Sequence, residues 1–370
     1  MKFSTSKTEL QKALQKLSKA TPTRSTLPIL SCVYIEVFDN KTILRTTDLE
    51  ITIQVEIATS YEEKGSAALP LKTLLEITNE LPEVRLTISV DEKNKTTIET
   101  DLGKYDLMSR PSEEFPTLPK QKKSKAISIS GMVLKNIIES TSFAVSQDEL
   151  KPSLTGVLFK FSEKGFTAVA TDGHRLVKHN RSDFSTESFN GEVIVPKKFL
   201  SYLNTQLPDE KITLVMGESF LTAQIKNDIA ITKIIDEKFP DYNSVIPKDN
   251  NKSFTVDKNI LLGSIRRVSI FSNKSTHQVA LTLTKEDSFI TTEDPEKSSK
   301  AKESIVGQYE GEDITIGYNA EYLKDVVGHV SSELINIKLN NSVSAALFEE
   351  TPERENVKSL MLLMPIRLND

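Results

Sequence analysis

The feature that most constrains this chain is a weak internal repeat with a period of about 125 residues. Each third opens with an amphipathic helix pattern, led by a residue whose side chain can cap a helix N-terminus. These three predicted helices run from Ser6 to Ala20, from Ser130 to Val145 and from Asp257 to Phe271. A repeat of this kind in 370 residues favours three like domains over one large core.

The remainder of each third repeats the same order of elements. Alternating, β-branched segments follow each first helix and predict antiparallel strands. They are Val33–Val37 with Ile51–Ile57, Gly156–Phe161 with Phe166–Ala170, and Val279–Leu283 with Ser288–Thr292. A second helix pattern comes next in each third, at Leu71–Glu80, Lys197–Leu207 and Ala320–Val330, with strand patterns such as Val84–Ile88 and Ile335–Leu339 after it. The order helix, strands, helix, strands predicts an α+β fold built from small antiparallel sheets.

Proline and polar stretches mark the predicted domain boundaries. Phe115-Pro116 and Phe239-Pro240 each precede a polar stretch, from Lys120 to Ser124 and from Lys248 to Lys252. Such stretches commonly separate domains. We therefore predict domains at 1–122, 123–250 and 251–370.

The composition excludes several classes of protein. The chain has no apolar run long enough to cross a membrane and no signal-peptide pattern at its start, so we expect a cytoplasmic protein. Its single cysteine, Cys32, lies in an apolar run and is expected to serve packing. Four scattered histidines give no metal-ligand spacing, and we expect neither metal nor cofactor. The net charge of −5 is unusual for a nucleic-acid binder.

The first helix nevertheless carries a cationic face. Leu10, Leu14 and Leu17 form one apolar stripe, and Lys12, Lys16 and Lys19 follow at the same spacing on the opposite side. A merely solvated lysine face is the common alternative. Cations recur on the other predicted helices, however, at Lys72, Lys197-Lys198 and Arg266-Arg267.

A layer of such helices lining a pore would attract DNA phosphates without reading bases. Because the rest of the protein is acidic, retention on DNA would then depend on encirclement more than on affinity. Repeats of a helix-and-sheet unit either stay open or close into rings.

Seven motifs, in order and in register along the chain, resemble the bacterial DNA polymerase III beta subunit family. They are Met1-Lys2-Phe3, Thr26-Leu27-Pro28-Ile29-Leu30, Thr47-Asp48-Leu49-Glu50, Thr171-Asp172-Gly173-His174-Arg175-Leu176, Val195-Pro196-Lys197-Lys198, Phe239-Pro240-Asp241-Tyr242 and Met364-Pro365-Ile366-Arg367-Leu368. The resemblance implies three DNA-clamp domains, each with two helices on an inner face and antiparallel sheets outside. It further implies a non-catalytic, head-to-tail homodimeric ring that slides on double-stranded DNA irrespective of sequence. Its dimer interface would contain Tyr105, Leu107, Ile270 and Phe271.

The resemblance also implies a hydrophobic pocket that binds short, mostly apolar peptides of partner proteins. Expected partners are the replicative polymerase alpha subunit, clamp-loader subunits and other proteins with clamp-binding peptides. The implied pocket residues are Leu154, Thr171, Gly173, His174, Arg175, Leu176, Pro240, Val245, Asn319, Tyr322, Val343, Leu362, Met364, Pro365, Ile366, Arg367 and Leu368.

For DNA contact, the family positions correspond to Arg24, Lys72, Lys151, Lys197 and Lys198, and the helix pattern adds Lys12 and Lys16. The sequence departs from the family pattern at Pro152-Ser153, where many relatives carry aromatic residues, and at Ser244, where arginine is frequent. Asn369-Asp370 extend the tail.

Two other functions fit parts of the sequence. A hydrolase could use Asp48, Glu50, Asp172 and His174, but no nucleophile elbow, P-loop or metal spacing accompanies them. A scaffold that binds peptides but not DNA would need only the repeat and an apolar groove.

Overall fold

The structure is a computed structural model that describes residues 1–22, 24–39, 41–119 and 124–368. The chain folds into two compact units. The first comprises Met1–Met132 and Thr205–Ile234, and the second comprises Val133–Asn204 and Ile235–Asp370. The predicted boundary between residues 122 and 123 and the Asn369-Asp370 extension lie outside the described residues.

Helices occupy the predicted places in each third of the chain. The α-helices of the described residues are α1 Lys7–Leu17, α2 Leu71–Glu80, α3 Gly131–Thr141, α4 Lys197–Gln206, α5 Lys258–Ser269 and α6 Ala320–His329. Short 3-10 turns extend α1 at Ser18–Ala20 and α3 at Ser142–Ala144, and others lie at Pro28–Ser31, Ser112–Glu114, Pro152–Leu154 and Pro295–Lys297.

The strands are numbered in chain order. The first third contains β1 Lys2–Ser6, β2 Cys32–Phe38, β3 Lys41–Thr47, β4 Ile51–Ala58, β5 Ser60–Glu63, β6 Gly65–Pro70, β7 Arg85–Val90, β8 Lys95–Thr100 and β9 Gly103–Met108. The middle third contains β10 Lys125–Ser130, β11 Gly156–Ser162, β12 Gly165–Thr171, β13 Arg175–Arg181, β14 Gly191–Pro196, β15 Lys211–Met216, β16 Phe220–Ile225 and β17 Asp228–Lys233. The last third contains β18 Lys252–Asp257, β19 Gln278–Leu283, β20 Ser288–Asp294, β21 Ser299–Ser304, β22 Gly307–Glu310, β23 Ile314–Asn319, β24 Leu334–Leu339, β25 Ala346–Thr351 and β26 Val357–Leu363.

The sheets are larger than the small sheets that the sequence predicts. In the first unit they run β5-β1-β7-β8-β9 and β10-β15-β16-β17-β4-β3-β2-β6, and in the second β14-β11-β12-β13-β26-β25-β24-β18-β22 and β21-β20-β19-β23. The cause is edge-to-edge pairing between strands of different thirds. Within the first unit β17 pairs with β4, and within the second β13 pairs with β26, both antiparallel.

The helices bury the predicted apolar stripes. Leu10, Leu14 and Leu17 of α1 are fully buried, as expected from their spacing. The Glu9 N–H donates to Ser6 Oγ at 3.1 Å, so Ser6 caps the helix as predicted. Cys32 is buried in an apolar cluster with Ile29, Leu30, Ala68 and Phe115, which agrees with a packing role.

One turn occurs twice and supports the repeat at the level of individual hydrogen bonds. Asp48 Oδ1 accepts the N–H groups two and three residues later, at 3.0 and 2.7 Å. Asp172 Oδ1 accepts the corresponding pair at 2.9 and 3.0 Å. Both turns contain a residue with positive φ, Leu49 at 76° and Gly173 at 92°. The same type of turn therefore joins β3 to β4 and β12 to β13.

Candidate functional site

The predicted peptide pocket is organised around the turn between β12 and β13. Thr171 Oγ1 donates to the Arg175 carbonyl at 2.7 Å and accepts the Gly173 N–H at 3.1 Å. The positive φ of Gly173 suits a residue without Cβ. Gly173 and His174 are exposed at the tip of this turn, and the His174 ring stacks on Tyr322 with 5.7 Å between centroids.

Arg175 braces this turn from inside the second unit. Its side chain donates to Asp172 Oδ2 at 3.0 Å, to Asp325 Oδ2 at 2.6 Å and to the Phe143 carbonyl at 2.9 Å. The guanidinium also lies 4.7 Å from the Tyr322 ring centroid. Arg175 is only 8% exposed. Arg175 is a predicted pocket residue, and its side-chain donors are directed to these protein groups.

Leu176 and Leu362 form the apolar floor beneath the turn. They are directly opposed across the β13–β26 pair, and Leu347 of β25 lies opposite Leu362 on the other side. They belong to a cluster with Leu158, Val169, Ile194, Phe239 and Ala345, against which Leu154, Ile235, Tyr242, Ile246 and Leu360 pack. Leu176 and Leu362 are 3% and 2% exposed. The resemblance predicts both as pocket residues, and both are buried in this apolar cluster.

The segment from Met364 to Leu368 lies against the same turn and against β23. The Met364 N–H donates to the His174 carbonyl at 2.8 Å, and the Ile366 N–H donates to the Gly317 carbonyl at 2.9 Å. A Cβ on Gly317 would lie 2.6 Å from the Ile366 carbonyl oxygen and 2.7 Å from the Leu368 side chain. Only glycine therefore allows this segment to approach the strand so closely.

Other predicted pocket residues have structural roles or lie exposed. Asn319 caps α6, because its Oδ1 accepts the N–H groups of Glu321 and Tyr322 at 2.9 and 3.3 Å. Val245, Val343 and Met364 are large apolar side chains left 54%, 63% and 41% exposed. Pro240 and Arg367 are exposed and Pro365 is half-buried, without a contact that assigns them a role.

Residues that the sequence prediction missed complete this region. Phe239, Tyr242 and Ile246 flank the predicted Pro240 and Val245 and pack into the floor. Asp325 and the Phe143 carbonyl hold Arg175. The motif Phe239-Pro240-Asp241-Tyr242 was visible in the sequence, whereas nothing local marked Asp325. At the departure position, Ser244 Oγ donates to the Asp241 carbonyl at 2.7 Å and closes a turn.

The predicted DNA-contacting cations have different surroundings. In the first unit Lys12 and Arg24 are exposed, and Lys72 is exposed beside Glu76, at 3.8 Å. In the second unit Lys151 and Lys198 are exposed and Lys197 is half-buried at the start of α4.

Two cations of the predicted cationic face are held in ion pairs. Lys16 is half-buried, and its Nζ lies 2.6 Å from Asp228 Oδ2. Arg267 of α5 donates to both carboxylate oxygens of Glu303 on β21, at 2.8 and 2.7 Å. The hydrogen bond to Glu303 raises the pKa of the Arg267 guanidinium. Helices α1 and α5 therefore carry ion pairs as well as exposed cations.

The predicted dimer-interface residues lie at sheet edges or in exposed positions. Tyr105 and Leu107 are half-buried on β9, which is an edge strand of its sheet. Ile270 and Phe271 follow α5 and are 77% and 45% exposed. Ser299, at the start of edge strand β21, donates its hydroxyl to the Phe271 carbonyl at 3.2 Å.

The residues of the hydrolase alternative are used in the repeated turns. The Asp48 and Asp172 carboxylates accept backbone N–H groups, and Asp172 also binds Arg175. Among the described residues, no group of three or more His, Cys, Asp or Glu side chains could hold a metal ion. Within the same part of the chain, no helix is long and apolar enough to cross a membrane.

Comparisons with known proteins match the whole chain. Family models for the N-terminal, central and C-terminal domains of the DNA polymerase III beta subunit match residues 1–119, 128–241 and 243–367. The beta sliding clamp of Pseudomonas putida is 32% identical, with 100% of both chains covered. The beta sliding clamp of Chlamydia pneumoniae is 28% identical over the same full coverage.

Solved structures agree with these matches. The DNA polymerase sliding clamp from Bacillus subtilis superimposes with a TM-score of 0.94 at 29% identity, and that from Pseudomonas aeruginosa with 0.92 at 30% identity. Each comparison covers 100% of both chains. The α+β fold of three clamp domains is thereby confirmed. The chain belongs to the DNA polymerase III beta subunit family, the bacterial DNA sliding clamps.

Proposed function

We propose that this protein acts in DNA replication as a homodimeric ring that encircles duplex DNA and tethers the polymerase and other proteins to it. The observation that carries this proposal is the ordered match of all three clamp domains over the full chain. A scaffold that binds no DNA is not favoured, because the relatives that match from end to end are sliding clamps. The domain boundaries at 1–122, 123–250 and 251–370 are part of this proposal.

Ring closure would use two unpaired sheet edges, one from each copy. Strand β9 of one protomer would add to β21 of the other, because both are edge strands whose free backbone groups can pair. Tyr105 and Leu107 would then pack against Ile270 and Phe271. A head-to-tail contact of this kind must close after a fixed number of copies, here two, or it would form open filaments.

The DNA-facing surface would consist of separated cations: Lys12, Lys16, Arg24, Lys72, Lys151, Lys197 and Lys198. Their attraction to phosphates does not depend on sequence and weakens as salt rises. Because the protein has a net charge of −5, its bulk affinity for DNA would stay low. Encirclement of the duplex would keep the ring on DNA. The ring could then move along the DNA, because it makes no contacts to bases that would have to break.

The partner pocket would accept a short apolar peptide over the floor of Leu176 and Leu362. The exposed side chains of Val245, Val343 and Met364 supply apolar surface for direct contact. Apolar anchors in a preformed pocket provide most of the free energy in such peptide binding. Expected ligands are the clamp-binding peptides of the polymerase alpha subunit, the clamp loader and other partners.

The remaining parts of the proposal concern chemistry and location. The clamp would be a non-catalytic subunit of the polymerase, without cofactor or metal, and would act in the cytoplasm. The non-catalytic role is supported by Asp48 and Asp172, whose carboxylates accept backbone N–H groups within turns.

The ring is tested by the mass and shape of the purified protein. Sedimentation equilibrium should give twice the mass of one chain, and electron microscopy should show closed annuli. A monomer at micromolar concentration, or open filaments, would contradict the proposed closure.

A further inference from the structure

A recess of ≈ 640 Å³ lies beside α1 in the first unit. Three lysines of the cationic stripe contribute to its walls, but so do three carboxylates. The charged lining residues are Lys12, Lys16, Lys19, Glu9, Glu56 and Asp228. The formal charges of the recess therefore cancel, although the helix sequence alone predicts a purely cationic face.

Asp228 holds the central lysine of the stripe. Lys16 Nζ lies 2.6 Å from Asp228 Oδ2, and the two side chains are 36% and 21% exposed. An ammonium group in such a pair is already partly neutralised. The adjacent carboxylate would also repel an approaching DNA phosphate, because like charges repel at short range.

The position of Asp228 is fixed by backbone pairing. Asp228 begins β17 directly after a tight turn, and Ile225 lies opposite it on β16. Lys226 in this turn has a φ of 56°. The next residue, Ile229, pairs with Gln54 of β4. The carboxylate is thus presented to α1 by a sheet connection and not by a free loop.

Neighbouring acidic groups do not share this role equally. Glu56 accepts from Lys41 at 3.1 Å and from Asn227 at 3.2 Å, so its carboxylate is engaged away from α1. Asp228 is the lining carboxylate whose ion pair reaches a proposed DNA-contacting lysine. A partly exposed ion pair adds little to folding stability, so stability alone is a poor reason for its presence.

We propose that Asp228 weakens the attraction between α1 and DNA by holding the Lys16 ammonium in an ion pair, which keeps the ring mobile on the duplex. The proposal rests on the proposed function, because it assumes that α1 faces DNA. It assigns Asp228 as a positioning residue that sets the strength of the contact.

The test is a salt titration of binding to a fluorescent duplex by the full-length protein. Each phosphate contact contributes about 0.9 to the slope of log K against log salt concentration. We expect Asp228→Asn to steepen the slope by up to about 0.9 and to slow diffusion of the loaded ring. Adding Lys16→Gln to Asp228→Asn should remove that gain. Lys12→Gln alone should flatten the slope.

The matched control is Glu92→Gln in the turn between β7 and β8, which changes net charge equally but does not line the recess. It should leave the slope unchanged. Asp228→Asn could bind like the unaltered protein while Lys12→Gln flattens the slope. The proposed role of Asp228 would then be wrong, but the assignment of α1 to the DNA-facing surface would be retained. If Lys12→Gln also has no effect, the DNA-facing assignment of α1 fails, and the role of Asp228 fails with it.

Discussion

Leu176 of β13 lies directly opposite Leu362 of β26, so strands from the middle and last thirds of the chain share one apolar row. Both side chains are almost completely buried. The floor of the proposed pocket is therefore also part of the core of the second unit. Substitutions in the floor should affect folding, whereas changes at its rim should affect binding.

The C-terminal segment is the clearest rim element to remove. We expect deletion of Met364–Asp370 to lower the affinity for a fluorescent clamp-binding peptide of the polymerase alpha subunit at least about tenfold, because apolar contacts in the pocket are lost. Fluorescence anisotropy would measure this loss. Deletion of Asn369 and Asp370 alone is the control and should bind normally. Unchanged affinity after the longer deletion would refute the pocket assignment.

Replacing Arg175 should show how far its hydrogen bonds stabilise the turn between β12 and β13. Arg175→Lys cannot make the three hydrogen bonds to Asp172, Asp325 and the Phe143 carbonyl together. We expect a loss of about 2–4 kcal/mol in the free energy of unfolding, measured with urea, and weaker peptide binding. His174→Ala, in the exposed tip of the same turn, should change stability little. Equal stability of Arg175→Lys and the unaltered protein would show that the brace is unimportant.

His179 should make the second unit less stable at acidic pH. His179 is fully buried on β13, with Nδ1 2.7 Å from Ser359 Oγ on β26. Burial, together with the nearby Arg181 and Arg354, lowers its pKa from 6.5 to about 4, although Asp183 opposes the shift. Between these two values the unfolded chain binds more protons than the folded one. Stability from this group is thus complete above the unfolded pKa and is lost as pH falls towards the folded pKa.

The size of this acid effect follows from the pKa difference. The pKa shift of His179 contributes at most about 3 kcal/mol to the free energy of unfolding. The free energy of unfolding, measured with urea, should fall by this amount between pH 7 and about pH 4, in addition to any fall seen in His179→Gln. A variant with the same pH profile as the unaltered protein would contradict the assignment to His179.

The proposed dimer contact is tested at an exposed apolar residue. Ile270→Asp would place a carboxylate where the partner protomer is expected to bury an apolar side chain, and desolvation of that charge disfavours closure. Light scattering should then show monomers at concentrations where the unaltered protein is dimeric. Ile260→Asp, near the start of α5, the helix that Ile270 follows, is the matched control and should remain dimeric. A dimeric Ile270→Asp protein would exclude this residue from the interface.

The sequence predicted the helices well because their apolar residues recur with the helical period over three turns. It missed β1, β10 and β18, which are short strands directly before the first helix of each third. It also missed the joining of sheets through β17 with β4 and β13 with β26, since partners far apart in the chain leave no local pattern.

The candidate site, like the fold, could be predicted only in part from the sequence. The resemblance named Leu176, Leu362 and Arg175, but their burial depends on distant neighbours such as Asp325, which is 150 positions from Arg175. Lys16 and Asp228 are 212 positions apart, so the cationic stripe gave no sign of its counter-charge. Spacing on one helix defines a face, but the charge of that face depends on what packs beside it.

Encirclement of the duplex is what we expect to hold the protein on DNA. Its most direct test is to load the fluorescent protein onto nicked circular DNA with a clamp loader, linearise the DNA and measure how much protein remains. Encirclement predicts stable retention on the circle and rapid loss through the ends after linearisation. Retention that is unaffected by linearisation would contradict it.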